Sequence, residues 1–258
     1  MKTKVFHNSI ISYAKDLAKY TGEAGVKFDE DVIHELRTTF KKLRALLRWQ
    51  NTDKNIYAIF KKIYDVAGEL RNIQVVNEML KEEKDTPQEF KNWLSITLVQ
   101  LKEEWNKVYH KEILKQLLEN IENLKIKTAK HKKFFSKRIK KIRHIIILNP
   151  VSDVPIHDTR KMIKDMQYVL EWWEENKKGS KTLIKNISIE RLKNIGKQIG
   201  EYNDKCTLLI LLTTYTQQEK EPALINEINP VIDKWWHDKD LQKEKLMIEL
   251  QRITWLWG

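Results

Sequence analysis

Apolar residues recur along this chain at spacings of three and four. Leu36, Phe40, Leu43 and Leu47 follow that rhythm in one segment. Met162, Ile163, Met166, Val169, Leu170 and Trp173 follow it in another. This is the period of a helix with one buried face. Eight helices are predicted, over residues 5–20, 29–50, 54–83, 87–125, 130–148, 154–177, 182–216 and 222–257. The breaks carry helix stop and start signals. Gly22 and Gly25 lie in the first, and Thr52 or Asp53 caps the third helix. Thr86-Pro87 reads as a cap followed by proline in the first turn. Asn149-Pro150 and Val154-Pro155 bracket the middle loop, and Lys178-Gly179-Ser180 ends the sixth helix. Pro230 is expected to kink or split the last helix. The fourth segment is long enough to be two helices.

Composition narrows the class. Seven Gly and five Pro in 258 residues are far too few turn-formers for a β-sandwich or barrel. The expectation is an all-α protein. A single cysteine, Cys206, excludes an intramolecular disulfide and a Cys-based zinc site, and its apolar neighbours mark it as a core residue. The longest apolar runs, at 145–148 and 208–212, fall far short of a membrane span. Residues 1–11 lack the apolar core of a signal peptide. A soluble, cytoplasmic protein is expected, with no membrane partner.

The helices repeat once. His34, Arg37, Lys41, Leu47 and Trp49 align with His157, Arg160, Lys164, Leu170 and Trp172 at an offset of 123. Gly68-Glu69-Leu70-Arg71-Asn72 then aligns with Gly200-Glu201-Tyr202-Asn203-Asp204 at an offset of 132, and Lys61 with Lys193. Two motifs repeated in the same order imply a duplicated four-helix unit. The repeats span about 1–125 and 126–258 of a single domain. Two four-helix bundles related by a pseudo-two-fold axis follow.

The charge gives the first functional hint. Lys and Arg number 48 against 36 Asp and Glu, for a net charge of +12. On an ideal helix His34, Arg37, Lys41, Arg44 and Arg48 fall within about 80° of one another, opposite the apolar face. A solvated face normally mixes signs. This stripe holds no acid, which makes sense if an anion neutralises it. Three readings remain for it: an anion site, a solvated face, or a salt-bridged internal face. His157, Arg160, Lys161, Lys164 and Tyr168 repeat the stripe more weakly, with Gln167 replacing a basic residue and Glu171 in the place of Arg48. A third basic element is 131–144, where Lys133, Lys137, Lys140, Lys141 and His144 share one face. Phe134, Ile142 and Ile145 can pack inward, which argues against a membrane-surface helix. Gly68 and Gly200 suggest close helix approach. Asn72 and Asp204 could orient Lys61 and Lys193, or be plain surface groups.

Other chemistry is weakly signalled. No His/Asp/Glu cluster at metal-ligand spacing is evident around His34 and His157, and no H-E-x-x-H, P-loop or G-x-G-x-x-G occurs. No metal or cofactor is expected. The nine Trp, including Trp172-Trp173 and Trp235-Trp236, read as core rather than base-stacking residues.

The paired pattern resembles the CHAD family, the conserved histidine α-helical domain. Its helix reads His-x-x-Arg-x-x-x-[Arg/Lys]-[Arg/Lys]-x-[Arg/Lys], twice, each followed by Gly-x-x-Arg-Asp-x-Asp-Val or a relaxed form. Here the first copy is His34, Arg37, Lys41, Lys42 and Arg44, then Gly68, Arg71, Asn72, Gln74 and Val75. The second is His157, Arg160, Lys161, Lys164 and Tyr168, then Gly200, Asn203 and Asp204. Asn72, Gln74, Gln167 and Asn203 depart from the pattern. The resemblance covers nearly the whole chain. It implies two pseudo-symmetric four-helix bundles and a non-catalytic module that binds inorganic polyphosphate in a basic groove or pore. The residues expected to line it are His34, Arg37, Lys41, Lys42, Arg44, Arg48, Lys137, Lys141, His157, Arg160, Lys161, Lys164, Lys193 and Lys197. Asn72, Asn203, Asp204 and Tyr168 would support them. Association with polyphosphate granules extends the cytoplasmic expectation. Bound anion should favour protonated His34 and His157, so binding should strengthen below about pH 6.5. Nucleic acid is the weaker alternative partner, and a phosphate-transferring enzyme the weakest reading.

Overall fold

A computed structural model describes residues 3–52, 54–81, 83, 85–126, 131–148, 152–176, 187–219 and 221–256. Among these residues the chain is helical throughout, with no strand. In chain order the helices are α1 (Thr3–Lys27), α2 (Glu30–Gln50), α3 (Lys54–Met79), α4 (Gln88–Val108), α5 (Lys111–Glu122), α6 (His131–Leu148), α7 (Val154–Asn176), α8 (Ile189–Gln218) and α9 (Pro222–Leu256). Asp53, Asn149-Pro150, Lys178-Gly179-Ser180 and the predicted helical positions 182–186 lie outside the described residues.

Two expectations change, and one that was open is settled. The segment 87–125 is two helices, α4 and α5, broken where Tyr109 and His110 turn extended. No Gly or Pro marks that break. Tyr109 instead stacks on Trp105, with ring centroids 6.2 Å apart. α1 runs through Gly22 and Gly25 to Lys27. Gly25 makes room for an aromatic ring there, since a Cβ would sit 3.1 Å from the Trp105 indole nitrogen. Third, α9 continues through Pro230 without a split. The start of α2 follows the usual chemistry. The Asp29 carboxylate accepts from the Asp31 and Val32 amides, and Glu30 and Asp31 place negative charge at the N-terminus. Asn51 in the left-handed region closes it.

α2 and α7, the helices that carry His34 and His157, pack against each other. Each is backed by the helix that follows, α3 behind α2 and α8 behind α7. The apolar side chains do not divide by repeat. One large cluster runs from α1 to α9 and joins the halves through Phe6, Trp49 and Trp172. Their rings meet edge to face at 5.0 to 5.6 Å. A smaller cluster gathers the far ends of α3 and α8 with α4 and α9, around Phe90 and Tyr215. The shared core holds α2 and α7 at fixed separation, which positions the charged face they present. Among the described residues, no helix is long and apolar enough to cross a membrane.

Candidate anion-binding site

The site grows from the first turns of α2 and α7. Each helix buries its apolar face, so the opposite stripe must turn toward the partner helix or solvent. Arg37 lies in the first half of α2. Its guanidinium crosses the face of Tyr64, 4.8 Å from the ring centroid, and Nη1 donates to the Tyr64 carbonyl at 3.2 Å. It also rests on Gly68 of α3, where a Cβ would come within 2.6 Å of Nη1. Arg160 on α7 repeats this placement. Its guanidinium lies over Gly200 of α8, with a Cβ there 3.4 Å from Nη2. The glycines therefore make room for arginines, not for a neighbouring backbone. Gly196, one turn earlier, does the same for the Lys164 stem at 3.1 Å.

Lys41 sits where the two stripes converge. Arg37, Arg160, Arg44 and Lys164 all act on it electrostatically. Burial first, and then these four cations, hold its ammonium well below the ordinary lysine range. Burial, and after it Arg160, also lowers Lys164, whose Nζ donates to Gln167 Oε1 at 2.9 Å. His34 and His157 flank the cluster. Burial lowers both, helped by Arg71 at His34 and by Lys161 and Arg160 at His157. The α8 carboxylate Asp204 faces Arg160, Arg71 and Lys41, while Glu69 acts on Arg37 and Glu171 on Lys164. Burial nevertheless raises the Asp204 pKa, outweighing its three cations. Burial pushes the Tyr168 hydroxyl up to about 12.

The cluster thus brings together His34, Arg37, Lys41, Arg44, His157, Arg160, Lys164, Tyr168 and Asp204 from the sequence-predicted set, with Arg44 buried, 9% exposed, against Phe40 and the Tyr64 ring that also carries Arg37. The other predicted residues are placed differently. Arg48 turns to Asp165 of α7, with Nη1 3.2 Å from the carboxylate, so the solvated-stripe picture fails there. Lys42 is half-buried on α2. Lys161 pairs with Asp158, Lys193 with Glu171, and Lys197 with Glu201. Asn72 donates to Glu69, and Lys61 pairs with Asp65. Asn72 therefore does not orient Lys61, and Asp204 faces Arg160 rather than Lys193. The Asn203 amide nitrogen is buried without a hydrogen bond. Lys137 and Lys141 are exposed on α6, and no interaction among the described residues ties them to the cluster.

Three contributors were not among the predicted site residues. Arg71 sits in the Gly-x-x-Arg motif, pairs with Glu30 at 3.6 Å and acts electrostatically on His34 and Asp204. Tyr64 carries the Arg37 guanidinium. Asp165 is a buried acid on the apolar side of α7, which receives Arg48 and Arg138 together. Its position among apolar neighbours was the only signal.

What the arrangement can do is bind a multiply charged anion. Its groups are donors in numbers that exceed the nearby carboxylates, and arginine forks suit paired oxygens. The family model of the CHAD domain matches residues 13–213. The chain belongs to the CHAD domain family. A CHAD domain crystal structure from the plant Ricinus communis has the same fold, with a TM-score of 0.69 at 12% identity, over 96% of this chain and 91% of that one. No match is found among curated proteins. Residues 13–213 contain every cluster residue named above, so the CHAD match and the cationic cluster coincide.

Proposed function

We propose that this CHAD domain binds inorganic polyphosphate between α2 and α7, as a binding module without catalysis. The observation that carries this reading is the convergence of both repeat copies. Lys41, Arg37, Arg160 and Lys164 crowd together although like charges repel. Such crowding costs stability in the free protein and is relieved when an anion enters. Polyphosphate offers a negative charge on each phosphate and no apolar or stacking surface. The cluster asks for nothing else. Arg37 and Arg160 would grip oxygens as forks, and Lys41 and Lys164 would act as point charges.

Nucleic acid fits less well. Recognition of single strands uses exposed aromatic faces as stacking platforms. The two aromatic rings in the cluster are taken: Tyr64 lies under Arg37 and Arg44, and Tyr168 is buried beside Lys164. A phosphate-transferring reading would require a carboxylate cluster for a divalent ion beside the cations. The carboxylates beside the cations come one each from separate helices: Asp204 on α8 faces Arg160 and Lys41, Glu69 on α3 acts on Arg37 and Glu171 on α7 acts on Lys164.

The test is calorimetric titration at about 150 mM salt, where surface electrostatics is screened beyond about 8 Å. Long-chain polyphosphate should bind tightly, and an RNA oligonucleotide of matched charge far more weakly. Equal binding of the two would replace the shaped site by a general polyanion surface. Exchange of Arg37→Glu with Arg160→Glu should abolish polyphosphate binding with helicity retained.

A further inference from the structure

The solvent face of α6 carries a second concentration of charge that the α2–α7 cluster does not use. The helix has no Asp or Glu in its 18 residues. Its apolar face is fully engaged: Phe135, Ile139, Ile142 and Ile146 are buried in the core. Arg138, next to that face, reaches Asp165 at 2.9 Å. The remaining face is exposed. Taking Lys137 as zero, Lys133, Lys140, Lys141 and His144 fall within about 60° of it, all exposed. Elsewhere on the surface lysines commonly find acids, as in Lys19 with Glu23 and Lys197 with Glu201. Among the described residues no carboxylate pairs with Lys133, Lys137, Lys140 or Lys141.

The same stripe ends in exposed hydrocarbon. Ile147 and Leu148, at about −80° and 20° on that wheel, continue it for the last turn. They are 79% and 64% exposed. We propose that this face of α6 is a docking surface for an anionic lipid bilayer, independent of the α2–α7 site. Lysines in a row meet anionic headgroups, and their long stems let the ammonium groups lie at the headgroup level. Ile147 and Leu148 enter the acyl boundary, as on a helix lying in the plane of the interface. A linear polyphosphate or an RNA would satisfy the lysines and leave the two apolar side chains in water. No aromatic side chain on the exposed stripe offers a base a platform, since Phe134 and Phe135 are buried. The sequence-level objection to a membrane-surface helix was that its apolar face would be buried. That face is buried, and the docking surface is the opposite one.

Co-sedimentation of the full chain with vesicles tests this. Vesicles of phosphatidylcholine containing phosphatidylserine should bind it, and phosphatidylcholine alone should not. Lys133, Lys137, Lys140 and Lys141, all changed to Gln, should lower partitioning more than about tenfold. Ile147→Asp with Leu148→Asp, both at exposed positions, should lower it at least about fivefold. The Ile147 and Leu148 variant should keep tight polyphosphate binding. Arg37→Glu with Arg160→Glu should lose polyphosphate and keep the vesicles, which separates this inference from the function proposed above. No binding to the phosphatidylserine vesicles, or unchanged binding by the lysine variant, overturns it. Wild-type vesicle binding by the Ile147 and Leu148 variant also overturns it, and leaves a general polyanion surface.

Discussion

The guanidinium of Arg37 occupies the space that a side chain at Gly68 would fill. A Cβ on Gly68 would stand 2.6 Å from Nη1, well inside contact distance. The equivalent pair, Arg160 over Gly200, is looser at 3.4 Å. Glycine within a helix costs about 1 kcal/mol against alanine. At Gly68 that cost secures the position of an arginine.

Gly68→Ala should therefore separate stability from binding. The clash falls on the far end of a flexible side chain, which can swing away from the Tyr64 carbonyl. Thermal stability should hold or rise, within the ~1 kcal/mol of helix propensity. Polyphosphate affinity should fall at least about tenfold, as expected for a displaced charge-assisted contact. Gly200→Ala should raise stability with a smaller loss of affinity. Calorimetric titration beside thermal melts checks both, and equal affinity losses would contradict the asymmetry.

Asp165→Asn should be the most damaging exchange of a charged residue near α7. Its carboxylate, 7% exposed, receives Arg48 at 3.2 Å and Arg138 at 2.9 Å. Removing the acid takes a shared charge-assisted acceptor from two partly buried guanidinium groups, at a cost of about 2 kcal/mol. Denaturant melts would show this as a lower midpoint with little change in slope.

The histidines set a pH dependence. Burial and cationic neighbours lower His34 and His157 below the ordinary value near 6.5. The folded state then binds protons less readily than the unfolded chain, so stability falls as pH drops from about 6.5 through the lowered values. Above that range the two histidines contribute no pH dependence. A bound polyanion favours the protonated rings, so affinity should rise over the same interval, beginning lower than an unperturbed histidine would place it. Melting temperatures with and without polyphosphate, between pH 7 and pH 5, should diverge as pH falls. Parallel curves would remove the histidines from the site.

A separate acid transition belongs to Asp153. Burial alone would raise its pKa, but hydrogen bonds from Tyr202 and Lys239 and the charge of Lys243 outweigh it and leave it lowered. Lys239 donates at 3.1 Å and is buried over the face of Trp236. A carboxylate held low contributes stability above its unfolded pKa, near 3.9, and loses it as pH falls through the folded value. Asp153→Asn should loosen α9 from α7 and α8. Hydrogen exchange in α9 should quicken in the variant at neutral pH, and its acid melt below pH 4 should flatten relative to the wild type.

The sequence by itself determined the all-helical class, the duplicated motif and the identity of the cations. Those depend on local period, caps and residue type, all of which are written along the chain. The Gly-x-x-Arg motif even pointed to Gly68 and Arg71. Tertiary packing decided which cations share space. Arg44 and Arg48 lie on the same stripe as Arg37 and Lys41, within one helix-wheel sector. Yet Arg44 stays with Arg37 and Lys41, buried against the Tyr64 ring that Arg37 also covers, while Arg48 goes to a carboxylate from another helix. A helix wheel fixes direction from one axis. The partner of a long side chain depends on what the neighbouring helix places within its reach, and only the packing of α2 on α7 settles that.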